Sequence, residues 1–354
     1  MSKLSQRDNK LRAIRFQKPD YIPMIFHVNN ASYEYYGKEY LYDLMEKHKL
    51  LFPNFDRNNH KIVYGNCEKK DEPYLDDFGC TWYTTVDGIV GTVLGHPLDE
   101  IEKIKDYKFP DPEKVMGIGK IDWQEELQNV EKEHQEGKFV ERGLRHGHTF
   151  LQACDIRGYE DLLIDMMYEE EYLPWLFDNL YNFNAAIIDK YCHSSVDMIT
   201  IPEDLGMQIG PMIDVDNFLK YIYPSYVKMI KKCKEHNKIV HMHSDGDIKL
   251  LAEYLIDNGV DVLNLQDMVV GIEWIKENLK GKVCLEVDID RQDITFRGTP
   301  EEIDKHIYKI VSELSSEDGG LMLIYGLYPN VPKENIEQLM DSMEKYMYFY
   351  SDNK

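Results

Sequence analysis

The chain is short of positive charge: 41 lysines and arginines stand against 64 acids, a formal net charge of −23. That deficit argues against nucleic acid, whose phosphates need a basic footprint, and against docking on an anionic membrane surface. No apolar run reaches the roughly 18 residues that span a bilayer. The opening, MSKLSQRDNKLRAIRFQKPD, lacks the apolar stretch of a signal peptide. The six cysteines, Cys67, Cys80, Cys154, Cys192, Cys233 and Cys284, include no C-x-x-C pair. They form neither a disulfide framework nor a zinc knuckle, and their scatter in a chain this long suggests a reducing, cytoplasmic compartment. Internal repeats, heptads and low-complexity linkers are missing too. So is a phosphate loop: Gly88-Ile-Val-Gly-Thr-Val-Leu-Gly95 has neither the P-loop lysine nor the G-x-G-x-x-G spacing.

What is present is an apolar fraction of 43% in 354 residues, enough for a full-sized core. Strand-like and helix-like stretches alternate. Apolar runs at 21–26, 139–143, 196–202, 238–243, 260–265, 282–288 and 320–325 read as buried strands. Helical patterns fall at 38–50, 120–137, 159–191, 215–236, 246–258, 300–315 and 332–349. Thr299 followed by Pro300 and two acids is an N-terminal helix signal. Repeated β-then-α units imply a parallel sheet. Without a phosphate loop to argue for an open doubly wound sheet, the expected class is α/β, a (β/α)8 TIM barrel forming one domain over residues 1–354. Residues 60–100, rich in Gly, Thr, Tyr and Val, read as a β-rich insertion with a hairpin turn at Asp87-Gly88.

Barrel enzymes place their chemistry at the C-terminal ends of the strands, and those ends are polar here. The strands run in turn into His27-Val-Asn-Asn30, Arg145-His-Gly-His148, Pro202-Glu-Asp204, His241-Met-His-Ser-Asp245, Asn264-Leu-Gln266, Asp288-Ile-Asp290 and Tyr325-Gly-Leu-Tyr328. His241 and His243 are two apart on one strand, so they share a face. Three readings stay open: hydrogen-bonded core or substrate-binding histidines; a metal site built from His243, Asp245 and Glu203, whose nitrogen and oxygen donors suit zinc with an open position; or acid–base use of His243 without metal. Trp82, Tyr83, Tyr325 and Tyr328 are candidates for an aromatic wall or for plain core filling.

Several segments in order resemble the uroporphyrinogen decarboxylase superfamily: residues 11–26, Glu203-Asp-Leu-Gly-Met-Gln208, His243-Ser-Asp-Gly-Asp-Ile248, residues 255–264, Gly298-Thr-Pro-Glu-Glu302 and Asn330-Val-Pro-Lys-Glu-Asn-Ile336. The resemblance covers nearly the whole chain and implies a (β/α)8 barrel with its site at the C-terminal face. The arginine-rich segment that true decarboxylases carry near the first strand is replaced by His27-Val-Asn-Asn-Ala-Ser32. Asp77-Phe-Gly-Cys-Thr-Trp82 with Asp87-Gly-Ile-Val-Gly91 resembles instead the corrinoid-dependent methyltransferase branch, particularly enzymes that demethylate methoxylated aromatics.

That resemblance implies methyl transfer from a methoxylated, aromatic substrate to cobalt(I). The cobalamin would be carried by a separate corrinoid protein, since no Asp-x-His-x-x-Gly motif occurs here. It also implies oxygen activation by His243, Asp245 and Glu203 through zinc or a proton. His27, Asn29, Trp82, His146, Gln208, Asn264, Tyr325 and Tyr328 would bind the substrate. The His-x-Cys pair and later cysteine of thiol-methylating relatives are absent: His243-Ser-Asp245 and Ile324-Tyr-Gly-Leu-Tyr328 stand in their places. Harder ligands leave a zinc ion more electrophilic, which suits an ether oxygen. Two alternatives stand beside this reading, a cofactor-free porphyrinogen-type decarboxylase and a non-catalytic small-molecule-binding barrel; a homodimer is left open.

Overall fold

The structure is a computed structural model and describes residues 4–350. Its class is α/β, of the (β/α)8 barrel type, with seven parallel strands. They are β1 (Met24–Val28), β2 (Glu141–Gly143), β3 (Met198–Thr200), β4 (Ile239–His243), β5 (Val262–Gln266), β6 (Cys284–Asp288) and β7 (Leu321–Leu327). All seven fall on the apolar runs of the sequence; the eighth strand of a full barrel is not formed among the described residues. Burial is nearly continuous along β4, β5 and β6, as expected where helices cover a parallel sheet.

The chain groups into two compact units. The first holds residues up to Asp71, Thr84–Val90 and everything from Asn264 onward. In it β7 is flanked by β1, with Met24 opposite Leu323 and His27 opposite Gly326, and by β6, with Asp288 opposite Ile324. The helix Pro300–Leu314 begins as its sequence demands. Thr299 Oγ1 accepts from Glu302 N at 3.3 Å and the Glu302 carboxylate accepts from Thr299 N at 2.8 Å, a reciprocal cap. Its buried side is Ile303, Ile307, Ile310, Val311 and Leu314, the spacing of one helical face.

The second unit holds Glu72–Tyr83 and Gly91–Leu263. Here β3 lies between β2 and β4, with Glu141 opposite Met198 and Thr200 opposite His241. Beyond the strands, the β3 and β4 loops touch backbone to backbone. A Cβ on Gly246, whose φ is +82°, would fall 2.1 Å from the Gly206 carbonyl carbon, so only glycine fits.

The β-rich insertion is present as a three-stranded antiparallel sheet, Tyr74–Leu75, Thr81–Tyr83 and Thr92–Gly95. Its hairpin turns at Asp87-Gly88, where Ile89 N donates to Val86 O at 3.3 Å, but this turn is the tip of a loop longer than two residues. Trp82 pairs with Val93 and Tyr83 with Thr92, leaving a longer loop. The reason is local: Thr84–Val90 groups with the first unit, where Asp87 Oδ1 accepts from Lys70 N at 2.8 Å and Gly88 N donates to Glu68 O at 2.8 Å. Gly88 lies so close to the Asn30–Ala31 backbone that a Cβ would approach Ala31 N to 2.4 Å. These partners draw the loop out beyond a two-residue connection.

All six cysteines are buried thiols outside any disulfide. No helix among the described residues is long and apolar enough to cross a membrane.

Stability to urea should rank the two kinds of backbone constraint. Thr299→Ala loses one cap, about 1 kcal/mol. Gly246→Ala adds a left-handed alanine and a backbone collision, and should cost more than twice as much. Equal midpoints for the two variants would contradict the close approach at Gly206.

Candidate functional site

In the second unit the ends of β2, β3 and β4 are laced together. Gly147 N donates to Pro202 O at 3.0 Å, Glu203 N to His243 O at 3.0 Å, and Gly206 N to Asp245 O at 3.2 Å. Leu205 N donates to Ser244 Oγ at 2.9 Å. This lacing fixes a cluster of three side chains. The Asp204 Oδ1 atom lies 3.2 Å from His146 Nε2 and 3.4 Å from His243 Nε2, and also accepts from Asp245 N at 3.0 Å. The two imidazole centroids are 5.5 Å apart. Burial opposes ionisation of Asp204, but the hydrogen bonds with His146 and His243 outweigh it and hold the carboxyl well below the usual range.

One donor atom from each of His146, Asp204 and His243 lies within 4.8 Å of the others. Tetrahedral zinc with bonds of about 2.0–2.1 Å sets its ligand atoms about 3.3 Å apart. The two measured separations match that edge, and two imidazoles with one carboxylate are an ordinary zinc donor set. Three protein ligands leave a fourth position for substrate. The residues present therefore fit a catalytic metal.

This set shares only His243 with the expected His243, Asp245 and Glu203. Asp245 is near, its Oδ1 3.8 Å from His243 Nε2. Glu203 is fully buried and faces elsewhere: Oε1 accepts from Thr149 N and Leu151 N, both at 2.9 Å, at the start of the helix Phe150–Arg157, and Oε2 accepts from the Tyr226 hydroxyl. Burial pushes its carboxyl up to about 7, while Tyr226 and the two backbone donors pull it down. The signal for Asp204 was in the strand period. Thr200 is in register with His241, so alternation carries the face of His241 and His243 to Asp204 and sends Glu203 the other way. Tyr226, on the helix Tyr223–Glu235, had no such signal.

Of the residues expected to bind substrate, His146 joins the cluster. Gln208 is exposed on the turn joining the short strands Gly206–Met207 and Gly210–Pro211. Trp82 is buried: its Nε1 donates to Asp76 Oδ2 at 2.9 Å, and the Arg145 guanidinium covers the ring at 5.4 Å. Arg145 is gripped by Gln152 and by Asp155, at 3.4 Å. Burial pushes the Asp155 carboxyl up to about 6, against the pull of Arg145.

The remaining five belong to the first unit. His27 is exposed on β1. Asn29 Oδ1 caps the helix Asn30–Tyr36 by accepting from Ala31 N at 2.9 Å. Asn264 is buried and donates to Glu286 O at 2.7 Å. Tyr325 is fully buried against Phe26, its hydroxyl 2.9 Å from Thr295 Oγ1, whereas Tyr328 is 42% exposed under the Arg291 guanidinium.

A family model described as uroporphyrinogen decarboxylase (URO-D) matches residues 76–346. Among solved structures, a methyltransferase from Methanosarcina mazei is similar in fold, with 14% identity, 96% of this chain and 98% of that chain covered, and a TM-score of 0.66. Xylanase 10B from Thermotoga maritima (14% identity, 97% and 99% covered, TM-score 0.44) is a more distant likeness that carries no argument. No curated protein matches the chain.

The Asp155 carboxyl supplies a pH test of the Arg145 network. Its native value near 6 lies above the ordinary 3.8, so between these pH values the folded chain binds more protons than the unfolded one. Stability should fall as pH rises through that window, by about 2–3 kcal/mol from this group. Asp155→Asn should remove that part of the slope in urea unfolding at pH 4 and pH 7; an unchanged slope would show the carboxyl ionised throughout.

Proposed function

We propose that this chain, which belongs to the uroporphyrinogen decarboxylase family, is an enzyme that moves a methyl group from a methoxylated aromatic to the cobalt(I) of a corrinoid carried by a separate protein. The observation that carries the reading is the His146–Asp204–His243 cluster at three adjacent strand ends of a family barrel. The methyltransferase-like fold neighbour and the absence of an arginine-rich segment near β1 support this branch over the decarboxylases.

The chemical difficulty is the leaving group. A phenolate leaves a methyl carbon reluctantly, so the enzyme must stabilise charge on oxygen as the carbon–oxygen bond breaks and must hold the methyl in line with its acceptor. His146, Asp204 and His243 would hold zinc, which when bound supplies Lewis-acid polarisation of that oxygen. Asp204 Oδ1 gathers both imidazole Nε2 atoms around one point, where all three atoms would turn to the ion, and its low proton affinity keeps it anionic. Asp245 positions Asp204 through its backbone N–H. Glu203 is a positioning residue: its carboxylate joins the helix Phe150–Arg157 to Tyr226 and so fixes the turn that carries Asp204.

The test is methyl transfer from a panel of methoxyaromatics to protein-bound or free cob(I)alamin. His243→Ala and Asp204→Asn should each lower the rate at least about a hundredfold, with little change in melting temperature. Prolonged treatment with a strong chelator should abolish activity and zinc should restore it. Full activity in metal-free protein would leave His243 as a proton donor held by Asp204. Porphyrinogen decarboxylation without methyl transfer would replace the reading altogether.

A further inference from the structure

The first unit contains an open cavity of about 360 Å³ that belongs to neither the cluster nor its supporting residues. It is lined by Arg291, Phe296, Arg297, Gly326, Tyr328 and their neighbours, and no carboxylate side chain lines it. In a chain carrying 64 acids against 41 bases that is an unusual lining. Its volume lies in the range of small-molecule sites.

Two of its features are built. Arg291 is fixed from two sides: Nη2 pairs with Asp288 Oδ2 at 3.2 Å, and the guanidinium carbon lies 5.5 Å from the Tyr328 ring centroid. Its Nη1 is turned toward Gly326, 3.7 Å from where a Cβ on that residue would lie. The wall behind is held as firmly. Thr295 Oγ1 is 2.9 Å from the Tyr325 hydroxyl, and Asn335 Nδ2 donates to Thr295 O at 2.9 Å. Tyr36 donates to Val331 O at 2.8 Å. Against this fixed cation stand two aromatic side chains that keep large exposures, Phe296 at 41% and Tyr328 at 42%.

We propose that this cavity binds a small aromatic carboxylate, its carboxylate on Arg291 and its ring against Tyr328 and Phe296. A guanidinium matches a planar carboxylate in a way that an amide or hydroxyl does not. The exposed rings call for an apolar planar body rather than a bare anion. Arg297, at the rim, is 72% exposed and neutralised by Asp293 at 2.9 Å, so Arg291 is the cation that faces the cavity. Gly326 supplies the room: its backbone is not left-handed, so its conservation of space, not of conformation, is what the cavity needs. This proposal does not rest on methyl transfer.

The test is titration calorimetry of the full chain with benzoate, its neutral isostere benzamide, and inorganic phosphate. Benzoate should bind at least about tenfold tighter than benzamide, and phosphate should not displace it. Arg291→Gln should erase the difference between benzoate and benzamide. Gly326→Val, whose side chain fills the space between Tyr328 and Arg291, should weaken both at least tenfold while leaving the melting temperature of the free protein unchanged. Equal binding of benzoate and benzamide, displacement by phosphate, benzoate binding that survives Gly326→Val, or no benzoate binding at all would each overturn the proposal.

Discussion

One carboxylate organises the site of the second unit. Asp204 has to stay ionised although partly buried, and it does so because two imidazoles and a backbone N–H converge on a single oxygen. That convergence requires three loops to arrive within a hydrogen bond of one another. The requirement explains the backbone contact at Gly206 and Gly246 and the lacing from Gly147 to Pro202 and from Glu203 to His243. It also explains the expense of a fully buried glutamate next door. Glu203 ties the helix Phe150–Arg157 and Tyr226 to the same turn, so the turn cannot swing.

The same economy governs the polar residues of the strand ends. A buried polar group needs a partner, and many of the residue types that suggest binding are used to satisfy one. Trp82 donates its indole N–H to Asp76, Asn264 reaches a carbonyl on β6, and Asn29 caps a helix. Tyr325 spends its hydroxyl on Thr295. Tyr328 and His146 differ in keeping substantial exposure.

Much of the fold was legible in the sequence because its parallel strands are short apolar runs with no competing pattern. The capping of Pro300–Leu314 was legible because it depends on residues within one turn. The turn at Asp87-Gly88 was legible as a local signal, but the length of the loop that carries it was not, because its partners, Lys70, Glu68 and the Asn30–Ala31 backbone, are distant in sequence. At the site, the histidine on β4 and the polar strand ends were visible as a pattern. The choice between Glu203 and Asp204 needed the register of β3 against β4, which no local feature of the Glu-Asp pair reveals. Tyr226 comes from a helix with only an amphipathic pattern, so nothing marked it.

The central claim is that His146, Asp204 and His243 form one metal site. It is tested most directly by equilibrium titration of chelator-stripped protein with Zn²⁺. The account predicts one zinc per chain, with affinity lowered at least about tenfold by Asp204→Asn and by His146→Ala and left unchanged by Asp245→Asn. Zinc binding that survives Asp204→Asn but is lost in Asp245→Asn, or the absence of any zinc site in the unaltered chain, would contradict it.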